Sequence, residues 1–341
     1  MAASRVTPSA RCATSSTPSP LRSEAARGAE GPGSGHGARN GFPWVESTRR
    51  SWADGHPHRA AVRRRRPDRC RAGGVPRRAR LARRRRAASP CPGWTVLGLA
   101  CHVLGDDLGS LARDRDRHFG TPPPADADTA DAFADWLDDL NRQWVLALRR
   151  LSPRLTVDLL RTAGDELVSM FREDDPRAVT AHVSWASDDP VPRWLEHGRE
   201  LTERWLHHQQ VLEAVGWPSW LDPGMLEAVL ETLRWAYPFA LRGEGRPPGT
   251  TAEVTVTGDL ERTWRLVSSG EGWRFAAPSA AGSAPVAAPA ASMRLPADVA
   301  WRLLSNNLPG GRHEAIELRG EAGLGLALQR ARAIIGRSNG P

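Results

Sequence analysis

Apolar residues recur every three or four positions in several stretches between residues 94 and 241. This period is that of a helix with one buried face. Thr95 follows a Pro92-Gly93 turn signal and is placed to cap the first helix. Residues 90–245 are therefore predicted to be all-α, and an up-and-down helical bundle is the default arrangement for such a region. The predicted helices are Val96 to about Arg117, Ala130–Leu151, Leu155–Phe171, Arg199–Val215 and Pro223–Leu241.

The pattern changes after a Gly- and Pro-rich linker at 243–249. Apolar and polar residues then alternate, which is typical of strands with one buried face. Two helical stretches are mixed with these strands, so residues 250–337 are predicted to form a small α+β domain. The predicted strands are Ala252–Thr257, Thr263–Val267, Trp273–Ala276, Ser292–Leu295 and Ala315–Arg319, and the helices are Pro296–Asn306 and Glu321–Ile335.

Residues 1–89 show neither period and are rich in Arg, Ser, Pro and Gly. A segment with so few apolar residues cannot offset the entropy cost of ordering, which predicts disorder. Three interpretations stay open for it: a solvated tail, a basic arm for nucleic acid or acidic membranes, and the product of a mis-set reading frame in a GC-rich gene. Charge separates this segment from the rest, because residues 1–90 hold 21 Arg and 5 acids whereas residues 91–341 hold 26 Arg and 34 acids.

Composition excludes several classes of protein. No apolar run is long enough to cross a membrane, and the N-terminal residues lack the apolar core of a secretory signal. The four cysteines form no C-x-x-C pair and no disulfide framework, which favours a reducing cytoplasm. Because the predicted folded part is acidic, a nucleic-acid partner is not expected. We expect a monomeric cytoplasmic protein.

A candidate metal site comes from two of the predicted helices. Glu203 and His207 are four residues apart, so both side chains lie on one helix face, and His102 lies on another helix. Two imidazoles and one carboxylate form a ligand set that leaves a position open for chemistry. Two alternatives are open. Glu203 and His207 could lie on a solvated helix face, and His102 could be a hydrogen-bonded core residue. The metal interpretation is favoured because each residue flanks an apolar stripe and can point into the bundle, where a buried carboxylate needs compensation.

Residues near these three are weaker candidates for metal ligands. His208 is rotated by about 100° from His207, so it is predicted to pack or to support the site from outside. Glu200 is the substitute ligand if the helix register differs, Asp106 is either a support for an imidazole or a surface acid, and Cys101 is predicted to be a small core residue. The chain has no Gly-rich phosphate loop, no serine nucleophile elbow and no zinc-ribbon cysteine pattern.

These motifs resemble a known family. The series Pro-Gly-Trp94-Thr-Val-x-x-Leu-x-x-His102, followed by Glu203-x-x-x-His207-His208, is similar to the mycothiol-dependent maleylpyruvate isomerase group of actinobacteria within the DinB-like four-helix superfamily. The resemblance covers roughly residues 90–336. It implies a DinB-like four-helix bundle followed by a sterol-carrier-like C-terminal domain. It also implies that His102, Glu203 and His207 bind a divalent metal, typically Zn²⁺, and that mycothiol is the thiol cosubstrate.

The resemblance has two departures and leaves two functions open. Gly98 stands where the family has an acidic residue, and residues 55–89 supply no pattern for the helix that the family places before Pro92. One functional hypothesis is an isomerase or S-transferase in which a metal-activated thiolate attacks an electrophilic small molecule. The other is a metal-binding or small-molecule-binding module without turnover.

Overall fold

The computed structural model describes residues 87–91, 93–127, 129–277 and 288–334. Pro92 and residues 1–86 of the segment predicted to be disordered lie outside this part of the chain. Residues 87–89 lie inside it and are tied to the start of the first helix. The Val96 backbone N–H donates to the Ala87 carbonyl at 3.2 Å, and Ala88 forms an isolated β-bridge with Thr95.

The predicted helical region is confirmed. Its long helices are α1 (Val96–Ser110), α2 (Ala130–Leu148), α3 (Pro153–Glu173) and α4 (Arg193–Ala214), and a π-helical segment, Leu111–Arg115, extends α1. Thr95, Thr129 and Ser152 cap the first three helices, each accepting a hydrogen bond from the backbone N–H three residues later. Helix α1 packs against α2, α3 and α4.

Several predicted helix boundaries differ from the structure, and the single helix predicted for Pro223–Leu241 is two helices, Pro223–Leu233 and Ala236–Ala240. Helix α3 begins at Pro153, because proline has no N–H to lose at the first helical position. Helix α4 begins at Arg193, six residues before the predicted start, after the strand pair β1 (Val179–Thr180) and β2 (Val191–Pro192). Its first turns were missed because Glu196 and His197 interrupt the apolar stripe.

The α+β prediction for the C-terminal part is also confirmed. Helices α5 (Pro223–Leu233) and α6 (Ala236–Ala240) lead to strands β3 (Thr251–Thr257), β4 (Arg262–Ser268), β5 (Trp273–Phe275), β6 (Ala291–Pro296) and β7 (Glu317–Gly320), with α7 (Ala297–Leu304) and α8 (Ala322–Arg330) interspersed. The strand order is β5-β4-β3-β6-β7, and only β3 and β6 among these neighbours are parallel. The sheet is therefore mixed.

One hydrophobic cluster extends from the helical region into the sheet. It includes Leu195 of α4, Leu230 of α5, Val254 of β3 and Leu303 of α7, all at most 1 % exposed. A smaller cluster fills the space between α1 and α3. Within the described residues, no helix has the length and hydropathy that a membrane span requires.

The contact between α4 and α5 generates a stability prediction. A Cβ on Gly198 would lie 2.5 Å from Oγ1 and 3.0 Å from Cγ2 of Thr232, whereas a Cβ on Gly164 of α3 would meet nothing within 4 Å. We expect Gly198→Ala to lower the free energy of unfolding by about 1–3 kcal/mol through overpacking. As the matched control, Gly164→Ala should raise it by about 0.5–1 kcal/mol, because alanine favours a helix interior. Urea denaturation measures both, and equal effects would contradict this account of the contact.

Candidate metal centre

The three predicted ligands converge on one buried point. Nε2 of His102 lies 3.1 Å from Oε1 of Glu203, and Nε2 of His207 lies 2.8 Å from the same oxygen. Each of the three residues places one nitrogen or oxygen ligand atom within 4.8 Å of the ligand atoms of the other two. The residues are 1 %, 6 % and 2 % exposed, in chain order. The alternative of a solvated helix face is therefore wrong, whereas metal ligation itself stays a prediction.

Local structure explains the convergence. The Thr95 cap fixes the start of α1, and His102 lies two turns later on the side that packs against α4. On α4, the four-residue spacing places Glu203 directly beside His207. The indole of Trp94 then packs against the His102 ring, with the centroids 4.8 Å apart.

The electrostatics of the cluster favour a carboxylate among positive charges. Burial alone would raise the pKa of Glu203, but the charge of His207 and the hydrogen bonds from both imidazoles hold that pKa well below its usual range. Burial alone would lower the pKa of His207, but the charge of Glu203 and hydrogen bonds to Glu203 and Gln210 raise it. Glu203 is therefore ionised, and a cation is favoured beside it.

A hydrogen-bond network fixes the orientation of the His207 ring. Nδ2 of Asn307 donates to the Ser305 carbonyl at 2.8 Å, which leaves Oδ1 of Asn307 to accept from Nε2 of Gln210 at 2.9 Å. Oε1 of Gln210 then faces Nδ1 of His207 at 2.7 Å. Because this amide oxygen can only accept, Nδ1 carries a proton.

The same network tests whether the site fits a metal. A neutral His207 protonated on Nδ1 presents the lone pair of Nε2 to the Glu203 carboxylate. Two acceptors 2.8 Å apart repel each other unless a cation stands between or beside them. A proton on Nε2 or a metal ion meets this requirement, so the residues present fit a bound divalent cation.

The neighbouring candidates lie outside the cluster. His208 packs against the Trp220 ring, with the centroids 5.6 Å apart, in agreement with a packing role. Glu200 is buried, and burial with the nearby Asp106 charge raises its pKa, so the structure gives it surroundings different from those of Glu203. Cys101 is a buried free thiol whose pKa is raised by burial, as a core residue should be.

Sequence reasoning missed two supporting residues and one disulfide. Gln210 follows His207 by three residues on the same helix, and this spacing could have identified it. Asn307 reaches Gln210 from the C-terminal part, and no local sequence signal indicates that contact. Cys91 is disulfide-bonded, so the expectation of a chain without disulfides is wrong at this position.

The raised pKa of His207 predicts a pH dependence for the metal-free protein. A histidine whose pKa is raised by folding adds stability that is complete below its unfolded pKa of about 6.5 and is lost as the pH rises through the folded pKa. We therefore expect the Tm of chelator-treated protein to fall as the pH rises from 6.5 to 9. Glu203→Gln removes the charge that raises the pKa of His207, so the Tm of this variant should fall less with pH. An unchanged slope of Tm against pH would assign the pH dependence to another group.

Comparison with known proteins supports the resemblance in the helical region. The family model described as the mycothiol maleylpyruvate isomerase N-terminal domain matches residues 77–212, a range that contains all three candidate ligands. The chain is also similar to a crystal structure of a mycothiol-dependent maleylpyruvate isomerase carrying a histidine-to-alanine substitution. That similarity has a TM-score of 0.38 and 14 % identity, and it covers 72 % of this chain and 89 % of the other. No curated protein matches the chain. Over residues 77–212 the chain is therefore similar to the mycothiol maleylpyruvate isomerase N-terminal domain family.

Proposed function

We propose that this protein binds a divalent metal and uses it to activate a thiol that attacks an electrophilic small molecule. The ligand set of two imidazoles and one carboxylate favours Zn²⁺ as the metal. The observation that carries the proposal is the buried contact of Glu203 with two imidazoles that come from different helices. The match of residues 77–212 to the family model of the isomerase N-terminal domain supports the same proposal. His102, Glu203 and His207 are the proposed ligands.

The ligand set matches catalytic zinc sites, which combine three nitrogen or oxygen ligands with an open position. When bound there, zinc supplies a positive charge that stabilises a thiolate at neutral pH. The chain's residues hold this arrangement in place: Gln210 keeps the proton on Nδ1 of His207, which leaves Nε2 for the metal, and Trp94 covers the His102 ring. The ligands act by coordination in this proposal and do not serve as general bases.

The proposed thiol is mycothiol, on the basis of the family. In an isomerase, the thiolate adds to an activated double bond, the former double bond rotates as a single bond, and elimination restores the double bond and releases the thiol. In an S-transferase, the adduct takes a proton and is released. The second candidate is a binding module without turnover, which the buried ligand set supports equally because ligation alone does not specify a reaction.

Metal content tests the ligand assignment. We expect the purified full-length protein to hold close to one zinc ion per chain by elemental analysis, and His207→Ala to hold almost none. His208→Ala is the matched control, because its ring packs against Trp220 outside the cluster. Full zinc content in His207→Ala would contradict the assignment.

Turnover separates the two candidate functions. Zinc-loaded protein should consume an activated cis-alkene only when mycothiol is present, and His207→Ala should abolish that activity. Zinc binding without any thiol-dependent consumption of isomerase or transferase substrates would favour the binding module. Activity that persists in the zinc-free His207→Ala variant would contradict the proposed mechanism.

The network behind His207 generates a separate prediction. Residues that orient a metal-bound histidine typically contribute 10–100-fold to metal affinity. We expect Gln210→Ala to weaken zinc binding by about this factor in a chelator competition assay. Gln209→Ala is the control, since this equally buried glutamine instead bonds the backbone of Trp220, at 3.0 Å from its N–H and 2.8 Å from its carbonyl. Equal losses of zinc affinity in both variants would show a general effect on α4.

A further inference from the structure

A cavity of about 590 Å³ lies between α1, α2 and the segment 118–123. Its lining is mainly apolar, and none of the three candidate metal ligands belongs to it. The volume lies within the range of small-molecule sites. The lining includes Gly109, Arg113, Phe119, Trp136, Asn141 and Trp144.

Gly109 keeps this cavity open. Glycine weakens a helix interior relative to alanine. At Gly105 packing accounts for the glycine, because a Cβ there would lie 2.6 Å from Cβ of Trp144. A Cβ on Gly109 would meet nothing within 4 Å, and its φ is not positive, so neither packing nor backbone conformation requires glycine. A larger side chain at position 109 would therefore enter open space of the cavity.

The walls of the cavity favour an aromatic ligand with a hydrogen-bond acceptor. Trp136, Trp144 and Phe119 supply flat apolar surface, and Phe119 is 50 % exposed at the cavity. Asn141 is 6 % exposed, and its Nδ2 has no hydrogen-bond partner within the described part of the chain. A buried donor of this kind is costly unless a ligand or water accepts from it.

The charges around the cavity argue against a dicarboxylate. Arg113 is the one arginine among the lining residues that the structure describes, and Asp114 already binds its guanidinium at 2.9 and 2.7 Å. Asp106 also lines the cavity and adds negative charge. Besides Arg113, only His118 among the described lining residues can carry positive charge. A dianion would need both of these groups for compensation, whereas a neutral carbonyl compound needs neither.

Position relates the cavity to the metal centre. His102, Asp106, Gly109 and Arg113 follow one another on the chain at spacings of four, three and four, and therefore lie along one side of the helix. The metal centre lies at the start of this side, at His102, and the cavity lies further along the same side, at Asp106, Gly109 and Arg113. We propose that the cavity binds an uncharged aromatic molecule that carries one carbonyl acceptor. That this cavity is also the binding site of the electrophile rests on the function proposed above.

Binding of a simple probe tests this inference. Calorimetry should show that acetophenone binds the full-length protein at least tenfold more tightly than toluene, which has the ring without the acceptor. Acetophenone should also bind more tightly than maleate, which is a dicarboxylate. Gly109→Leu fills the open space and should weaken acetophenone binding at least tenfold. Asn141→Leu should abolish the preference for acetophenone over toluene while toluene still binds.

The outcomes distinguish this inference from the proposed function. Acetophenone binding equal to that of toluene in the wild type, or an unchanged preference in Asn141→Leu, would overturn the inference even if Gly109→Leu failed to fold. Zinc content measured on the same samples reports the metal centre separately. Retained zinc without acetophenone binding would remove the cavity proposal alone, and acetophenone binding by protein that holds no zinc would remove the metal function alone.

Discussion

The constraint on which the site depends is the burial of one carboxylate. Glu203 is 6 % exposed, and an ion in such a position is destabilising unless opposite charge and hydrogen bonds compensate it. His102 and His207 supply that compensation from two helices, so α1 and α4 must stay in register for the charge to be tolerated. The pairing that makes the site suitable for a cation therefore also fixes the relative position of two helices.

Helix α4 serves two structural layers at once. One side carries the candidate ligands, while Trp205 packs edge-on against Trp301 of α7 with the ring centroids 5.1 Å apart. At the end of the helix, Glu213 pairs with Arg302 at 3.1 Å. Gln210 lies between these contacts and joins His207 to Asn307. The C-terminal part thus contributes directly to the orientation of a candidate ligand in the helical region.

The sequence predicted the features that depend on local spacing. The Thr95 cap and the four-residue spacing of Glu203 and His207 are both visible in the chain and confirmed as geometry. Features that depend on distant packing were missed. Asn307 contacts Gln210 across 97 positions, and its role follows only from how α7 ends beside α4.

Burial was harder to predict than secondary structure. Helix α4 resembles a surface helix in composition, yet Glu200, Thr202, Gln209 and Gln210 are all buried. A hydrophobic stripe identifies one buried side of a helix, but it cannot show that a second layer covers the polar side. The division into domains at 90–245 and 250–337 likewise stays a prediction, because sequence composition marks the linker without showing how the two sides pack.

The continuous hydrophobic cluster has a consequence for how this architecture can diversify. Leu230 of α5, Val254 of β3 and Leu303 of α7 share one core, although a Gly- and Pro-rich linker separates α5 from β3. Two parts that share a core cannot be exchanged independently between relatives without exposing apolar surface. Recombination at the linker would therefore yield chimeras with mismatched interiors, and the two parts are constrained to evolve as a pair.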